Sequence, residues 1–161
     1  MGFDRVDPGR RFVVLADSAE ALPPCPQLAL LRMEGSIYFG AASHVGDHLH
    51  DLRNRPGAPR HLLVMAKSMN SIDLAGLDVW EQELRERRAL GGDLYFHRPR
   101  PQVLELWRRS GFLQRLGPDH IYPDKQRALA DIHHRLDPAV CARCQVRLFR
   151  ECQAEDPAAA I

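Results

Sequence analysis

The sequence predicts an α/β domain built on a mixed, mostly parallel central sheet, and three observations lead to this fold class. Segments with strand-like and helix-like patterns alternate along most of the chain, as in parallel sheets covered by helices. The run HLLVMA at 61–66 is apolar throughout, as expected for a strand buried on both faces. After it, Leu77, Trp80 and Leu84 recur at intervals of three and four residues, which is the period of an amphipathic helix.

The sheet is predicted to begin with an antiparallel hairpin. The segments 28–34 (LALLRME) and 36–40 (SIYFG) have the composition of strands, and Glu34 and Gly35 supply a tight turn between them. Before this hairpin, the sequence predicts irregular chain over 1–11 and a short strand at 12–16 (FVVLA).

The remaining elements follow from period and punctuation. Helices are predicted where apolar residues recur every three or four positions, and strands where short apolar or aromatic runs follow a break. These rules place helices at 42–53, from Asp73 to about Leu90, at 101–110 and at 125–136, and strands at 61–66, 93–97 and 120–123. The predicted organisation is a linker with a short strand over 1–27, the α/β domain over 28–136, and a cysteine-containing helix and tail over 137–161.

Length and composition favour one globular domain. The chain has 161 residues, of which 45% are hydrophobic and 27% charged, with a formal net charge of +1. This near-neutral balance removes the general electrostatic case for a nucleic-acid-binding protein. The longest apolar runs are far shorter than the roughly 20 residues of a membrane-spanning helix, and the opening residues lack the pattern of a secretory leader.

The ordered set of these segments resembles a STAS domain. GSIYFGAA (35–42) is similar to the hairpin strand and first-helix entry of that family, and NSIDLAG (70–76) is similar to its strand-to-helix loop. LELWRRSGFL (104–113) resembles the helix and glycine turn that precede the last strand, and IYPDKQRALADI (121–132) resembles that strand and the helix after it. The resemblance covers about 28–135. Within the family, the sequence is most similar to the cytosolic C-terminal STAS domain of SulP-type anion transporters, the sulfate permease family.

The resemblance implies a non-catalytic regulatory domain that acts through protein–protein contacts on the cytoplasmic side of the inner membrane. The implied partners are the transmembrane part of the same transporter, a second copy in a homodimer and, as in some relatives, acyl carrier protein or a nucleotide. The transported anion would be sulfate, bicarbonate or a dicarboxylate. Neither a cofactor nor a nucleic-acid partner is implied. The residues themselves offer no nucleophile with a plausible base and no glycine-rich phosphate loop.

The alternative is a free-standing STAS regulator of the anti-sigma factor antagonist type. Such antagonists resemble this chain at the strand-to-helix loop but carry a phosphorylatable Ser or Thr two positions after the Asp. Here that position is Ala75, which has no hydroxyl group to accept a phosphate. The resemblance also implies an Asp at the end of the central strand, where this chain has Met65 and Ala66. Ala75 disfavours the antagonist, whereas the missing Asp, which transporter-type domains also tend to carry, weakens the case for a phosphate or nucleotide pocket on the loop.

The strand-to-helix loop is the candidate interaction site. Asp73 stands where a helix N-cap belongs, so its carboxylate can accept hydrogen bonds from the free N–H groups of the first turn. Gly76 permits the close approach of a packed partner. The alternative is a capped helix start without any ligand. The loop residues are Ser68, Asn70, Ser71, Asp73, Ala75 and Gly76.

Three cysteines near the end of the chain leave two interpretations open. Cys141, Cys144 and Cys152 could ligate a metal, but a zinc site normally has four ligands. If 139–152 is one helix, the three thiols share a face with Leu148 and would dock that helix on the domain. The sequence favours packing of reduced thiols over metal binding.

Two further groups of side chains are predicted to lie on the surface. His44, His48 and His50 fall on the first helix or its flank, and His44 and His48 are spaced to share a metal, although solvated histidines are the favoured interpretation. The arginines of ELRERRAL (83–90) and ELWRRSG (105–111) are predicted to form solvated helix faces that could contact lipid headgroups or a transporter body.

Overall fold

The computed structural model of the chain describes residues 2–6, 12–14, 25–37 and 39–154. The strands are β1 (Gly2–Val6), β2 (Phe12–Val14), β3 (Leu28–Ile37), β4 (His61–Ile72), β5 (Asp93–His97) and β6 (Ile121–Tyr122). The helices are α1 (Phe39–Asn54), α2 (Leu74–Ala89), α3 (Pro101–Ser110), α4 (Phe112–Leu116), α5 (Lys125–His133), α6 (Pro138–Arg143) and α7 (Arg150–Ala154). None of the helices in this described part is long and apolar enough to cross a bilayer.

The six strands form one sheet in the order β2-β1-β3-β4-β5-β6. The four strands from β3 to β6 are parallel, whereas β1 runs antiparallel to both β2 and β3. Helices lie between successive parallel strands, as the short βαβ connections of an α/β fold require. The predicted fold class is therefore confirmed at the level of a four-stranded parallel sheet surrounded by helices.

The predicted hairpin over 28–40 is wrong. Leu28–Ile37 is one continuous strand that pairs in parallel with β4, and the register shifts near Glu34 and Gly35 instead of reversing. The backbone of Gly35 has a φ of 81°, which here accommodates a local irregularity in the strand. The second predicted strand, 36–40, is divided between the end of β3 and the start of α1, and Tyr38 lies outside the described residues.

The first residues also differ from the prediction. The segment 1–11 was expected to be irregular, but Gly2–Val6 forms β1 and supplies the antiparallel partner of β3. The predicted short strand at 12–16 is found as Phe12–Val14. β1 has only five residues and is held by pairing with β2 and β3, so its sequence carries little periodic signal.

One face of the sheet carries the larger core, to which α1, α2, α3 and α4 contribute. Its centre is aromatic: Trp80 packs edge-on against Phe96 at 5.2 Å between ring centroids, and Trp107 lies 4.6 Å from Phe96 and 5.2 Å from Phe112. All four rings are fully buried. Large apolar rings with such edge-to-face geometry add packing energy beyond the area they bury.

The opposite face carries a second core, to which α5 and the segments around Cys25 and Leu148 contribute. Ala128 and Ile132 of α5 are fully buried there, against Leu63 and Tyr95 of the sheet. After β5 the chain therefore passes to the first face of the sheet, and after β6 it passes to the second. The carboxyl ends of these two neighbouring strands lie where the connections diverge.

Most predicted helices are confirmed, with one exception at the end of the chain. α3 begins at Pro101 and ends at Gly111, whose φ of 83° is the left-handed conformation typical of a helix stop. α5 ends at His133 instead of Leu136. The helix expected over 139–152 is wrong: α6 ends at Cys144, which has an extended backbone, and α7 begins only at Arg150.

Candidate functional site

The β4–α2 junction is much shorter than the predicted loop. β4 continues to Ile72 and α2 begins at Leu74, so Asp73 alone connects them. Ser68, Asn70 and Ser71 are therefore residues of the strand, not of a loop. The polar end of β4 remains a strand because its backbone pairs with the end of β3 at Glu34, Gly35 and Ile37.

Asp73 caps α2 as predicted. Its backbone is extended, with φ −105° and ψ −169°, and its Oδ1 accepts a hydrogen bond from the backbone N–H of Gly76 at 3.0 Å. Its carbonyl oxygen accepts the first helical bond from the N–H of Leu77 at 2.9 Å. The carboxylate thus neutralises the positive end of the helix dipole with the chain's own charge.

The first turn of α2 presents an apolar side chain to solvent. Leu74 is 69% exposed, and Asp73, Ser71, Asn70 and Ser68 around it are exposed as well. Ala75 is partly buried against the larger core and Gly76 is buried. The junction therefore combines a capped backbone with an exposed leucine.

The β5–α3 junction lies next to this surface and is built differently. α3 has no side-chain cap, and Arg98, just after β5, has a φ of 51°. The Nε of Arg100 donates to the carbonyl oxygen of Lys67 at 3.0 Å, and the Nε2 of Gln102 donates to the carbonyl oxygen of Asn70 at 2.7 Å. These two bonds tie the start of α3 to the polar end of β4.

The structure brings a fourth cysteine to the three near the chain end. Cys25 lines the same small cavity of about 20 Å³ as Cys141, Cys144 and Cys152. The backbone N–H of Gln27 contacts the Sγ of Cys25 at 3.5 Å, and its Nε2 lies 3.3 Å from the Sγ of Cys141. Sequence spacing could not reveal Cys25, since it joins the group only through the fold.

Burial determines the ionisation of one thiol in the cysteine group. Burial raises the pKa of the Cys25 thiol to about 11, so it is neutral near pH 7. No group of three or more Cys, His, Asp or Glu side chains within the described ranges is arranged to hold a metal ion. His44, His48 and His50 on α1 lie within these ranges. The packing interpretation of Cys141, Cys144 and Cys152 stays a prediction, which metal analysis of the purified chain would test.

The histidines of α1 lie at its surface. His44 and His50 are exposed and His48 is partly buried. Burial and the nearby charge of His44 lower the pKa of His48, an arrangement that disfavours a positive charge there.

Sequence reasoning missed a buried ion-pair triad. Glu83 is 1% exposed and bridges two arginines: its Oε1 accepts from the Nε of Arg87 at 2.5 Å, and its Oε2 accepts from Nη1 of Arg53. The Nη1 of Arg87 also donates to the carbonyl oxygens of Pro59 at 3.0 Å and Arg60 at 3.2 Å. The prediction that 83–90 forms a solvated face is therefore wrong at Glu83 and Arg87. The spacing of four residues was visible, but their burial depends on Arg53 from α1.

The fold and the capped β4–α2 junction define a domain class, which the match of the sequence to a family model identifies. The family model of the STAS domain matches residues 20–128, more than half of the chain. The chain therefore belongs to the STAS domain family. No curated protein sequence matches it.

Solved structures with the same fold come from two functional settings. A sulfate transporter family protein from Wolinella succinogenes aligns with a TM-score of 0.60 and 17% identity, over 73% of this chain and 93% of the other. The unphosphorylated Bacillus anti-sigma factor antagonist SpoIIAA aligns with a TM-score of 0.56 and 18% identity, over 72% and 97% of the two chains. These identities establish the fold and do not choose between the settings.

A third structure is much longer than this chain. The murine anion transporter Slc26a9 aligns with a TM-score of 0.69 and 12% identity, over 83% of this chain but 22% of its own. The chain thus spans about a fifth of that transporter.

Proposed function

We propose that this chain is the non-catalytic regulatory and interaction domain of a SulP-type membrane anion transporter. It acts on the cytoplasmic side of the inner membrane, and its partner is the transmembrane part of the same transporter, with a second copy of the domain as a further partner. Residues 28–136 form the main part of the STAS domain, β1 and β2 extend its sheet, and the described part of 137–161 contributes to it through the cysteine group.

The observation that carries this proposal is Ala75 at the β4–α2 junction. The antagonist branch works through phosphorylation two positions after the Asp, and Ala75 offers no acceptor there. The same turn exposes Leu74, so the surface keeps the means to bind a protein without a phosphate switch. A constitutive contact with an attached membrane domain fits this combination better than reversible binding to a kinase.

The contact surface can be tested with two leucines at opposite ends of α2. Leu74→Glu places a charge in the proposed contact, and Leu90→Glu places the same charge at a leucine that is 44% exposed at the far end. We expect Leu74→Glu to weaken binding to the purified transmembrane part by about tenfold or more, since a buried leucine is worth roughly 1.5–3 kcal/mol. Leu90→Glu should bind as the wild type does. Equal effects from both variants would remove the junction from the interface.

The competing antagonist function has its own test. The chain is incubated with a serine kinase of the anti-sigma factor type and ATP, and the mass of residues 68–76 is measured after digestion. We expect no added phosphate. Phosphate on Ser68 or Ser71, or a surrounding reading frame without a polytopic membrane segment, would favour the free-standing regulator.

A further inference from the structure

A basic cleft of about 620 Å³ opens at the carboxyl ends of β4, β5 and β6, and the proposed docking surface does not use it. It lies where β5 leads to α3 on one face of the sheet and β6 leads to α5 on the other. In α/β sheets, diverging connections of this kind leave a crevice beyond the strand ends, and ligands bind in such crevices. The lining residues are Lys67, Arg98, Pro99, Arg100, Pro101, Leu104, Ile121, Tyr122 and Pro123.

The charge of the cleft is of one sign. Three of its described lining residues are cationic, and none of the described lining residues is a carboxylate. Lys67 and Arg98 are exposed, and neither side chain forms an ion pair within the described parts of the chain. The nearest acidic residue along the chain, Asp124, accepts the backbone N–H of Arg127 at 2.7 Å and caps α5. Three clustered cations without a counter-charge are stabilised by an anion.

The backbone of the cleft supports the same ligand. The first turn of α3 has no side-chain cap. Pro101 has no N–H and the N–H groups of Val103 and Leu104 donate to the carbonyl oxygen of Arg100, so the N–H of Gln102 and the helix dipole supply the positive partial charge at this end. Arg98 has a left-handed backbone, with φ 51°, which disfavours any residue other than glycine. Strained backbone of this kind is concentrated at ligand sites.

A buried histidine beside the cleft is sensitive to its charge. His97 is 6% exposed, and its Nδ1 has no hydrogen-bond partner within the described chain. Burial lowers its pKa to about 4, with further lowering by Lys125, Arg98 and Lys67 and an opposing effect of Asp124. An anion bound between Lys67 and Arg98 would therefore raise this pKa.

We propose that this cleft binds a phosphate monoester, with Lys67, Arg98 and Arg100 as the charged ligands. Arginine side chains hold phosphate oxygens through paired N–H donors, and lysine adds a point charge. The apolar part of the wall, with Leu104, Ile121 and the prolines, accommodates the organic part of the ligand. The phosphate group can belong to a free metabolite or to the headgroup of an anionic lipid, which share this chemistry.

The proposal is tested with inorganic phosphate on the 161-residue chain and on three variants. Lys67→Gln removes one cleft charge, and Arg98→Gly removes another while it suits the left-handed backbone. Arg85→Gln is the matched control, because Arg85 is exposed on α2 outside the cleft. We expect phosphate to raise the pKa of His97, which is measured from the NMR signals of its ring protons. We expect each cleft variant to weaken phosphate binding by about tenfold. Arg85→Gln should match the wild type.

The source of the phosphate is distinguished by vesicles. Chain that sediments with phosphatidylcholine vesicles containing phosphatidic acid, but not with phosphatidylcholine alone, supports a lipid headgroup when Lys67→Gln abolishes the effect. Binding of inorganic phosphate without sedimentation supports a free metabolite. The proposal is overturned if neither probe binds, or if Arg85→Gln weakens binding as much as the two cleft variants do.

Discussion

Two neighbouring strand-to-helix junctions at the same edge of the sheet have opposite electrostatic designs. The β4–α2 junction has its own carboxylate: Asp73 occupies the helix N-terminus and accepts the N–H of Gly76. The β5–α3 junction has no cap, and Lys67, Arg98 and Arg100 surround its cleft. The first junction is therefore closed to anions and exposes Leu74 instead, whereas the second is open to them.

The two junctions show that a turn which resembles an anion-binding site need not be the place where an anion binds. Aspartate at the first junction performs locally what a bound phosphate would do, so that turn is complete without a ligand. The need for a negative charge remains at the second junction, where three cations lie together and no described residue of the cleft wall is acidic. Protein contact and anion contact would then use adjacent surfaces, tied together by the bond from Gln102 to Asn70.

The largest expected effect concerns the buried ion-pair triad, which lies at the end of α2 away from the two junctions. Glu83→Gln should lower the free energy of unfolding by about 3–5 kcal/mol, because it leaves Arg53 and Arg87 buried without their shared carboxylate. Urea unfolding measures the change, and Glu86→Gln at an exposed position of α2 is the control. A loss below about 1 kcal/mol would mean that the triad is solvated.

The second effect concerns the buried imidazole of His97 beside the β5–α3 junction. Since burial lowers the pKa of His97 from 6.5 to about 4, the unfolded chain binds more protons between these values, and stability falls as pH decreases through this window. We expect the free energy of unfolding to fall by about 2 kcal/mol from pH ~7.5 to ~5 owing to His97 alone.

His97→Gln isolates this contribution. The other histidines with lowered pKa values, His48 and His61, titrate equally in both proteins, so the difference between the two pH profiles belongs to His97. Superimposable profiles would show that folding does not lower the pKa of His97.

A smaller effect is expected at the β4–α2 junction. Asp73→Ala removes the cap and should cost about 1 kcal/mol of unfolding free energy, whereas Asp73→Asn keeps an acceptor and should cost a few tenths. Thermal or urea unfolding of the two variants makes the comparison. Equal losses would mean that the negative charge, and not the hydrogen bond to Gly76, is what the junction requires.

The smallest expected effect concerns Arg98, where the same variant should increase stability and weaken phosphate binding. Arg98→Gly should raise the free energy of unfolding by roughly 0.5 kcal/mol, because relief of the left-handed strain slightly exceeds the added flexibility of the unfolded chain. Arg85→Gly, in a helix interior, should lower it by about 1 kcal/mol. If Arg98→Gly destabilises to the same extent, the side chain of Arg98 has a structural role that the cleft does not explain.

The local parts of this architecture were predictable from the sequence. The apolar run 61–66 identified the central strand, and Pro101 and Gly111 marked the ends of α3. The position of Asp73 before an amphipathic segment predicted its capping role, which the bond to Gly76 confirms. Each of these features depends on residues within a few positions of one another.

The parts that could not be predicted depend on distant residues. Glu34 and Gly35 suit a turn as well as a strand irregularity, and only pairing with β4 decides between them. The segment 67–72 is mostly polar and lacks the sequence pattern of a strand. It forms part of a strand because it pairs with β3. The burial of Glu83 is decided by Arg53, which lies thirty residues earlier.

The candidate sites depend on distance along the chain in the same way. Cys25 reaches the other cysteines, and Lys67 reaches Arg98, only in the folded domain. For this reason the cleft had no signature in the sequence.

The contrast between the two junctions is tested most directly by a phosphate titration of the isotope-labelled chain, followed through its backbone amide NMR signals. The account predicts shifts centred on Lys67, Arg98, Arg100 and the 121–125 segment, with the Asp73–Leu77 signals unchanged. Shifts centred on Asp73–Leu77, with the cleft unaffected, would contradict it.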